Sequence, residues 1–226
     1  MIQIIQIDPR QLKAIALLAP KTDQRYWLNG VFVEATSTET RLVAMDGKRM
    51  GVFLAAKANR LAGAIQASAI LPHDALDFVR PSRGRFAQLE LRIDPAVPRW
   101  AELSHGGTSF QFLTVDGGYP IYRRALGPHR GSGETGQYDP RHVHDFYRVL
   151  EAMEGKLPPD RNGVYLHHNG NDNTRVSINR REDFVGTVRP QALEGPAHLF
   201  WADAPAPAAR VGRAEALTQR DLNTNT

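Results

Sequence analysis

The sequence predicts an α+β fold made of a repeated unit, in which one strand and one helix are followed by three more strands. Three segments share the start of this pattern, a short strand that leads through a proline into an amphipathic helix, with the prolines at positions 9, 72 and 140. Each is followed by three strand-like runs, punctuated by residues typical of hairpin turns. A repeat of this length is typically one supersecondary unit that buries its apolar face against a neighbouring unit.

The first unit carries the clearest helix start. Pro9 stands at the first helical position, where its missing N–H would have no partner in any case, and Asp8 precedes it as the expected N-cap. Leu12, Ile15 and Ala16 recur at helical spacing and form one apolar stripe. After this helix the sequence predicts strands over residues 26–35, 41–46 and 49–55.

The second and third units repeat the arrangement. The second begins in the segment 69–79, and the third begins in the segment 137–147, where Asp139 and Pro140 again predict a capped helix start. After these helices, strands are predicted over residues 86–93, 99–104, 109–115, 163–168, 174–179 and 183–188. The glycine-rich residues 127–136 form the best candidate for a linker between the second and third units.

Composition narrows the class of protein. The chain has 226 residues and no cysteine, so we expect no disulfide scaffold, no thiolate metal site and no cysteine nucleophile. Hydrophobic residues make up 42% and charged residues 23%, which is typical of a globular protein. No apolar run is long enough for a membrane span and the N-terminus lacks a basic region, so we predict a cytoplasmic protein without a membrane partner.

Three motifs resemble the bacterial sliding clamp family, the beta subunit of DNA polymerase III. Residues 23–34 (DQRYWLNGVFVE) are similar to the segment that opens the middle domain of that family. Residues 41–50 (RLVAMDGKRM) resemble its threonine–aspartate–glycine–histidine–arginine–leucine hairpin, and residues 119–126 (YPIYRRAL) resemble its proline–aspartate–tyrosine–arginine–arginine motif. The motifs follow in family order at matching distances, which makes the combination more specific than any one of them.

The resemblance implies the DNA-clamp fold, in which helices line a central hole around duplex DNA and antiparallel sheets form the outside. Residues 1–126 would be a complete clamp-like domain, residues 136–201 a partial (half) domain, and residues 202–226 a loosely ordered C-terminal tail. The family chain has six units, whereas this chain has three. Met45, Lys48 and Ile121 replace the family's threonine, histidine and acidic residue. With these departures, the sequence does not decide whether the chain forms a closed ring.

The resemblance also implies a pocket that receives short peptides of DNA polymerases and clamp loaders. Carried over residue by residue, the predicted partner-peptide site consists of Leu28, Met45, Lys48, Arg49, Met50, Pro120, Arg124, Ala125, Thr187, Val188 and Arg189. A small apolar pocket with polar groups at its rim suits the apolar anchors of a peptide. The alternative is that Leu28 and Met50 are ordinary core residues and that Arg124 is merely solvated. Because Met45 and Lys48 replace smaller or uncharged family residues, we expect a shallow pocket that prefers an acidic peptide flank.

A second predicted surface would contact duplex DNA without sequence preference. Its members are cations on the solvated helix faces or at helix ends, together with a loop that the resemblance assigns to the inner edge of the hole: Arg10, Lys13, Lys21, Arg25, Tyr26, Trp27, Arg80, Arg141 and Arg148. Positive charge at adjustable distance suffices for phosphate contacts, which carry no sequence information. The alternative is that these charges only solubilise the helices, and the net charge of +4 is too small to decide.

We therefore predict a non-enzymatic DNA replication protein, a sliding-clamp-like processivity factor that encircles or cradles duplex DNA as a homo-oligomer and tethers a polymerase through its pocket. The alternative is an adaptor or decoy that binds clamp-partner peptides without forming a ring. The histidines at 142, 144, 167 and 168 lack an acidic third ligand at a recognisable spacing, so we predict neither a metal nor another cofactor. Residues 198–200 are similar to the end of clamp-binding peptides, although a last strand or an apolar plug explains them better.

Overall fold

The computed structural model describes residues 1–80, 89–128, 130–156, 158–179 and 181–192. Met1–Ala192 form one compact unit, whereas the predicted tail and residues 198–200 lie outside the described residues. The helices are α1 (Pro9–Ala16), α2 (His73–Phe78) and α3 (Pro140–Glu154). The strands are β1 (Gln3–Ile7), β2 (Gly30–Ala35), β3 (Glu39–Met45), β4 (Arg49–Ala56), β5 (Ala67–Pro72), β6 (Leu89–Ile93), β7 (Trp100–His105), β8 (Thr108–Leu113), β9 (Val164–His167), β10 (Thr174–Ile178) and β11 (Phe184–Val188).

The predicted unit of one helix and three following strands is present three times, with two differences from the sequence pattern at the helix starts. Pro9 and Pro140 do open α1 and α3, where Asp8 and Asp139 accept hydrogen bonds from the first backbone N–H groups. Pro72, however, is the last residue of β5, and α2 begins one residue later. Residues 137–138 form no strand, so the third unit lacks a leading strand of its own.

The first two units exchange their leading strands. β1 of the first unit pairs with β6, giving the sheet order β1-β6-β7-β8, and β5 of the second unit pairs with β2. The third unit then adds β11 antiparallel to β4, which extends the other sheet to seven strands in the order β5-β2-β3-β4-β11-β10-β9. The last strand of the first unit is therefore paired with the last strand of the third.

The main core lies between the helices and one face of each sheet. Leu12 and Ile15 of α1 are fully buried against Phe53 of β4, and Phe146 of α3 joins the same cluster. Side chains alternate along a strand, so the neighbouring residues of β2, β3 and β4 point to the opposite face of the seven-stranded sheet. A second apolar cluster forms on that opposite face.

Two glycines face each other where β4 and β11 meet. Gly51 pairs with Gly186, and a Cβ on Gly51 would come within 2.6 Å of Leu18. A Cβ on Gly186 would come within 2.5 Å of the Phe146 ring. The absence of side chains here lets α1 and α3 settle directly onto the strand junction. No helix of the described residues is long and apolar enough to span a bilayer.

Candidate functional site

A small cavity opens at the β3–β4 turn, beside the end of β11. Its volume is about 60 Å³. The lining residues come from four separate stretches of the chain: Met45, Gly47, Lys48, Arg49, Met50, Ala125, Asn173, Thr187 and Arg189. Seven of the eleven residues that the sequence predicted for a peptide site line this cavity. At this volume the cavity holds one small apolar side chain, and a larger one enters only if the flexible side chains of Met45 and Met50 move.

The other four predicted residues lie around the cavity without lining it. Leu28 is buried in the apolar cluster beneath it, together with Met45, Met50 and Tyr122. Pro120 and Arg124 are exposed on the segment that crosses the outer sheet face. Val188 is fully buried on the helix side, because it alternates with Thr187 along β11 and therefore points to the opposite face.

Residues 119–127, which follow the second unit, cover the apolar cluster on the outer sheet face and supply one wall of the cavity. Tyr119 stacks on Phe32 of β2 with ring centroids 4.7 Å apart, and burial raises the pKa of its phenol. The side chain of Arg175 on β10 donates to the Gly127 carbonyl at 2.7 Å. The first and third units are therefore bridged by this segment as well as by the β4–β11 pair.

Glu34 anchors the same segment, and sequence reasoning gave it no role. Its carboxylate is buried on the outer face of β2, where it accepts the Tyr122 hydroxyl at 2.8 Å and a bidentate contact from the Arg123 guanidinium. Burial would raise the pKa of the carboxyl, but the Arg123 and Tyr122 hydrogen bonds and the nearby Arg41 outweigh it and lower the pKa. A lone Glu within an otherwise apolar strand, GVFVEA, was the signal that could have identified it.

Arg49 joins the cavity wall to helix α3. Its guanidinium contacts Asp46 in the β3–β4 turn at 2.5 Å and Asp145 on α3 at 2.9 Å. Asp145 also lies 3.2 Å from Arg148, a predicted DNA-facing residue. Asp145 was missed from sequence because nothing local in α3 indicates that a residue nearly a hundred positions earlier approaches it.

The predicted DNA-facing cations on the helices are partly engaged within the protein. Lys13 donates to the Leu76 carbonyl at the end of α2, at 2.8 Å. Arg141 forms an ion pair with Asp139 at 2.6 Å, although 86% of its side chain stays exposed, and this guanidinium lowers the pKa of the Asp139 carboxyl. Arg10 is half-buried and forms no ion pair within the described residues. The helix face is thus less positive than its arginine content suggests.

The remaining predicted DNA residues lie in loops or in the short 3-10 helix Tyr26–Leu28. Lys21 and Arg80 are exposed. Arg25 pairs with Asp23 at 2.8 Å, donates to the Asp46 carbonyl at 2.9 Å, and lowers the pKa of Asp23 to about 2. Tyr26 and Trp27 follow on the same loop, edge to face with centroids 5.1 Å apart, and half of Tyr26 is exposed. This loop is therefore fastened to the same turn that forms the cavity.

Two of the four histidines considered for a metal, His167 and His168, have separate partners within the protein. His168 Nδ1 lies 3.2 Å from the Tyr138 hydroxyl, and His167 Nε2 lies 3.0 Å from the Ser177 hydroxyl. No group of three metal-ligating side chains occurs in the described ranges.

Comparison with known proteins shows a curated relative that matches part of the chain. The beta sliding clamp of Vibrio cholerae is 37% identical over 108 residues, which are 47% of this chain and 28% of that protein. The chain thus matches little more than a quarter of the length of this relative. No family model matches the sequence.

Solved structures match much more of the chain. A sliding clamp from Pseudomonas aeruginosa bound to griselimycin aligns with a TM-score of 0.62 at 15% identity, over 84% of this chain and 65% of that one. The DNA polymerase III beta subunit of Thermotoga maritima aligns with a TM-score of 0.61 at 14% identity, over 84% and 65%. The predicted resemblance and the α+β DNA-clamp fold are confirmed, in a chain shorter than the clamps it matches.

Proposed function

We propose that this chain is a sliding-clamp-like processivity factor, which encircles or cradles duplex DNA and tethers a DNA polymerase through the cavity at the β4–β11 junction. The observation that carries the proposal is the convergence of Met45, Ala125 and Thr187 on one cavity. These residues belong to three separated stretches, and two of the stretches resemble motifs of clamps. Such a factor keeps a polymerase on DNA by surrounding the duplex, so it needs no catalytic group. It acts in the cytoplasm beside replicating DNA.

The two surfaces lie on opposite sides of one sheet, which supports simultaneous binding. The cavity opens on the face of the seven-stranded sheet that points away from the helices, whereas Arg141 and Arg148 belong to α3 on the other face. A bound peptide would therefore leave the helix face free for DNA. A clamp benefits from weak contacts on that face, because it must slide, and engaged arginines such as Arg148 suit that requirement.

The partner side of the proposal is a short peptide of a polymerase or clamp loader. Met45 and Met50 offer polarisable, adaptable apolar contact, while Lys48 and Arg189 stand exposed at the rim. Two cations at the rim favour an acidic residue beside the apolar anchor. Once Met45 and Met50 move aside to widen the cavity, two or three buried anchors would give about 7 kcal/mol, a micromolar dissociation constant, which allows partners to exchange.

The ring side of the proposal is a homo-oligomer, in which several copies of this chain surround the duplex together. The domain division belongs to the same proposal and remains a prediction, with a complete clamp-like domain over residues 1–126 followed by a half domain.

Filling the cavity tests the peptide site. Griselimycin is the probe, because a similar clamp carries it in a solved structure. Ala125→Leu places a larger side chain at the cavity wall, and Ala56→Leu makes the same change at the exposed end of β4. We expect calorimetry to give micromolar binding for the wild type and for Ala56→Leu, and at least a tenfold loss for Ala125→Leu.

The outcome also separates the two predicted functions. Equal binding by both variants would remove the cavity from the proposal. Binding at the cavity by a protein that stays monomeric and ignores DNA would favour the adaptor. A folded, oligomeric protein that binds both DNA and the probe supports the processivity factor.

A further inference from the structure

The turn between β3 and β4 forms part of the cavity wall, and Asp46 holds it in shape. The Asp46 carboxylate accepts the backbone N–H groups of Lys48 and Arg49, each at 2.8 Å. Gly47 lies within the turn at φ +84°, a backbone conformation that residues with a side chain rarely adopt. Gly47, Lys48 and Arg49 all line the cavity. The position of this turn therefore sets the width of the cavity.

Arg25 contacts the same turn from outside the cavity. Its Nη2 donates to the Asp46 carbonyl at 2.9 Å. A Cβ on Gly47 would lie only 2.8 Å from Arg25 Nη1, so the guanidinium lies directly against the turn. Leu28, three residues after Arg25, is buried with Met45 in the apolar cluster beneath the cavity. The segment that carries Arg25 is thus attached both to the wall and to the base of the cavity.

The Arg25 guanidinium is also accessible to ligands in solution. Its side chain is 48% exposed, and it belongs to the predicted DNA surface together with its half-exposed neighbour Tyr26. Asp23 binds one face of the guanidinium, because its two carboxylate oxygens accept Nε at 3.0 Å and Nη2 at 2.8 Å. The face that remains for another anion is the one formed by Nη1 and Nη2.

A phosphate on this remaining face would compete with the turn. Each nitrogen of the guanidinium end carries two hydrogens, and Nη2 gives one to Asp23 and the other to the Asp46 carbonyl. A bidentate phosphate needs that second hydrogen. Hydrogen bonds between a guanidinium and an anion are stronger than those to a neutral carbonyl, so the phosphate displaces the Asp46 carbonyl rather than Asp23. The guanidinium then also moves away from Gly47.

We propose that Arg25 couples the two proposed binding surfaces: a DNA phosphate that takes the Arg25 guanidinium releases the β3–β4 turn, so that the cavity can widen for a partner peptide. The inference deepens the proposed function and rests on it for both ligands. The cavity has a volume of about 60 Å³, so a large apolar anchor enters only when its wall moves. DNA supplies part of the free energy for that movement, and the peptide therefore binds more tightly to protein that holds DNA.

The effect works in both directions. Thermodynamic linkage requires that a peptide in the cavity raise the affinity for DNA by the same factor. The contact that the turn loses is one hydrogen bond from a charged donor, which corresponds to about a fivefold change in affinity. A clamp that already holds a duplex would thus recruit a polymerase in preference to a free clamp, although the two ligands bind opposite faces of the sheet.

Titration of fluorescently labelled griselimycin, with and without a saturating duplex oligonucleotide at low salt, measures the coupling. For the wild type we expect the dissociation constant to fall about fivefold when the duplex is present. Arg25→Ala has no contact with the turn, so it should bind griselimycin without DNA as tightly as the wild type does with DNA. The duplex should then cause no further change.

Arg141→Ala is the matched control. It also removes an exposed arginine from the predicted DNA surface, but the partner of Arg141 is Asp139 at the start of α3 rather than the turn. Once the duplex is saturating, this variant should keep the fivefold ratio of the wild type. A ratio that disappeared in Arg141→Ala as well would overturn the route through Arg25.

The remaining outcomes separate the coupling from the proposed function. A wild type that binds both ligands with an unchanged griselimycin affinity would overturn the coupling and leave the proposed function standing. A wild type that binds neither griselimycin nor duplex would contradict the proposed function and the coupling with it. The comparison of wild type and Arg25→Ala without DNA needs no duplex, and equal affinities there would refute the hold of Arg25 on the turn.

Discussion

The last strands of the first two units, β4 and β8, have opposite surroundings. β4 is paired on both sides, with β3 and with β11, and its outer face carries Met50 of the cavity. Among the described strands β8 pairs with β7 alone, and it carries no residue of the predicted peptide site. The difference comes from the third unit, which adds its last strand to β4 alone.

The candidate site therefore belongs to a junction rather than to a unit. Thr187 and Arg189 line the cavity, and both follow from the pairing of β11 with β4. A chain that lacked the third unit would keep Met45 and Met50 but lose the opposite wall. Substitutions at the β4–β11 junction, each with a matched control elsewhere in the chain, test whether the two regions differ in this way.

Gly186→Val should produce the largest loss of stability. The new side chain would overlap the Phe146 ring and approach the Met50 carbonyl within about 3.1 Å, so the β4–β11 pair cannot keep its present geometry. We expect a loss of about 3 kcal/mol in the free energy of unfolding by denaturant. Ser109→Val on the open edge is the control, with a change within about 0.5 kcal/mol. Equal effects would mean that the two last strands do not differ in packing.

Glu34→Ala should cost about 2 kcal/mol, because it leaves Tyr122 and Arg123 without their carboxylate and frees the segment over the apolar cluster. The matched control in the second unit is Glu102→Ala, whose carboxylate meets Arg92 at 3.4 Å, with 41% of the Arg92 side chain exposed. We expect less than about 1 kcal/mol there. Chemical unfolding of both variants measures the difference.

The lowered pKa of Glu34 predicts a pH dependence as well. A carboxyl whose folded pKa lies below its ordinary value of 4.5 stabilises the fold above that value, and loses this contribution as pH falls through the lowered pKa. Glu34→Gln has no such proton to bind. The stability difference between wild type and Glu34→Gln should therefore shrink between about pH 6 and about pH 3. A difference that stayed constant over this range would refute the role of the carboxylate.

Asp145→Asn should cost about 1.5 kcal/mol, since it removes the charge that holds Arg49 against α3. Arg148→Ala removes the other partner of Asp145, but 47% of that side chain is exposed, so a few tenths of a kcal/mol is expected. A double-mutant cycle between Arg49 and Asp145 measures the coupling. Zero coupling would show that the first and third units dock without this ion pair.

The smallest effect concerns the helix face. Replacing Arg10, Arg141 and Arg148 with Ala should reduce the salt dependence of DNA binding by about 0.9 for each phosphate that the protein no longer neutralises, with little change in stability. Arg92→Ala, on a strand away from the helices, should leave the slope unchanged. Titrations at several salt concentrations give both slopes, and equal slopes would place DNA elsewhere.

The sequence predicted the fold well because its signals are local. A few neighbouring residues suffice to identify the helix starts at Pro9 and Pro140, each preceded by an aspartate cap. The same is true of the hairpin turns between alternating strands. The strand exchange between β1 and β6, and the pairing of β11 with β4, depend on contacts between distant segments and could not be predicted from periodicity. The second helix begins one residue later than predicted, at His73. Pro72 instead ends β5, an edge strand, where a proline is tolerated.

The candidate site was predictable where a motif covered it and not where distant segments met. Met45, Met50 and Ala125 came from motifs, and the structure brings them together. Glu34, Asp145 and Asn173 act through partners from other units, so no local pattern marks them. The charges on the helices were visible in the sequence, but the ion pairs that engage them depend on side-chain geometry, as Arg141 with Asp139 illustrates.

Retention of the protein on circular and on linear DNA distinguishes encirclement of the duplex from binding to its surface. The protein is assembled with a nicked circular plasmid and passed over a sizing column in salt high enough to suppress phosphate contacts, and the same plasmid cut once serves as the control. A clamp that encircles DNA stays on the circle and slides off the cut molecule, so we expect the bound fraction to fall at least tenfold after linearisation. Equal retention on the circular and the linear form would contradict the sliding clamp.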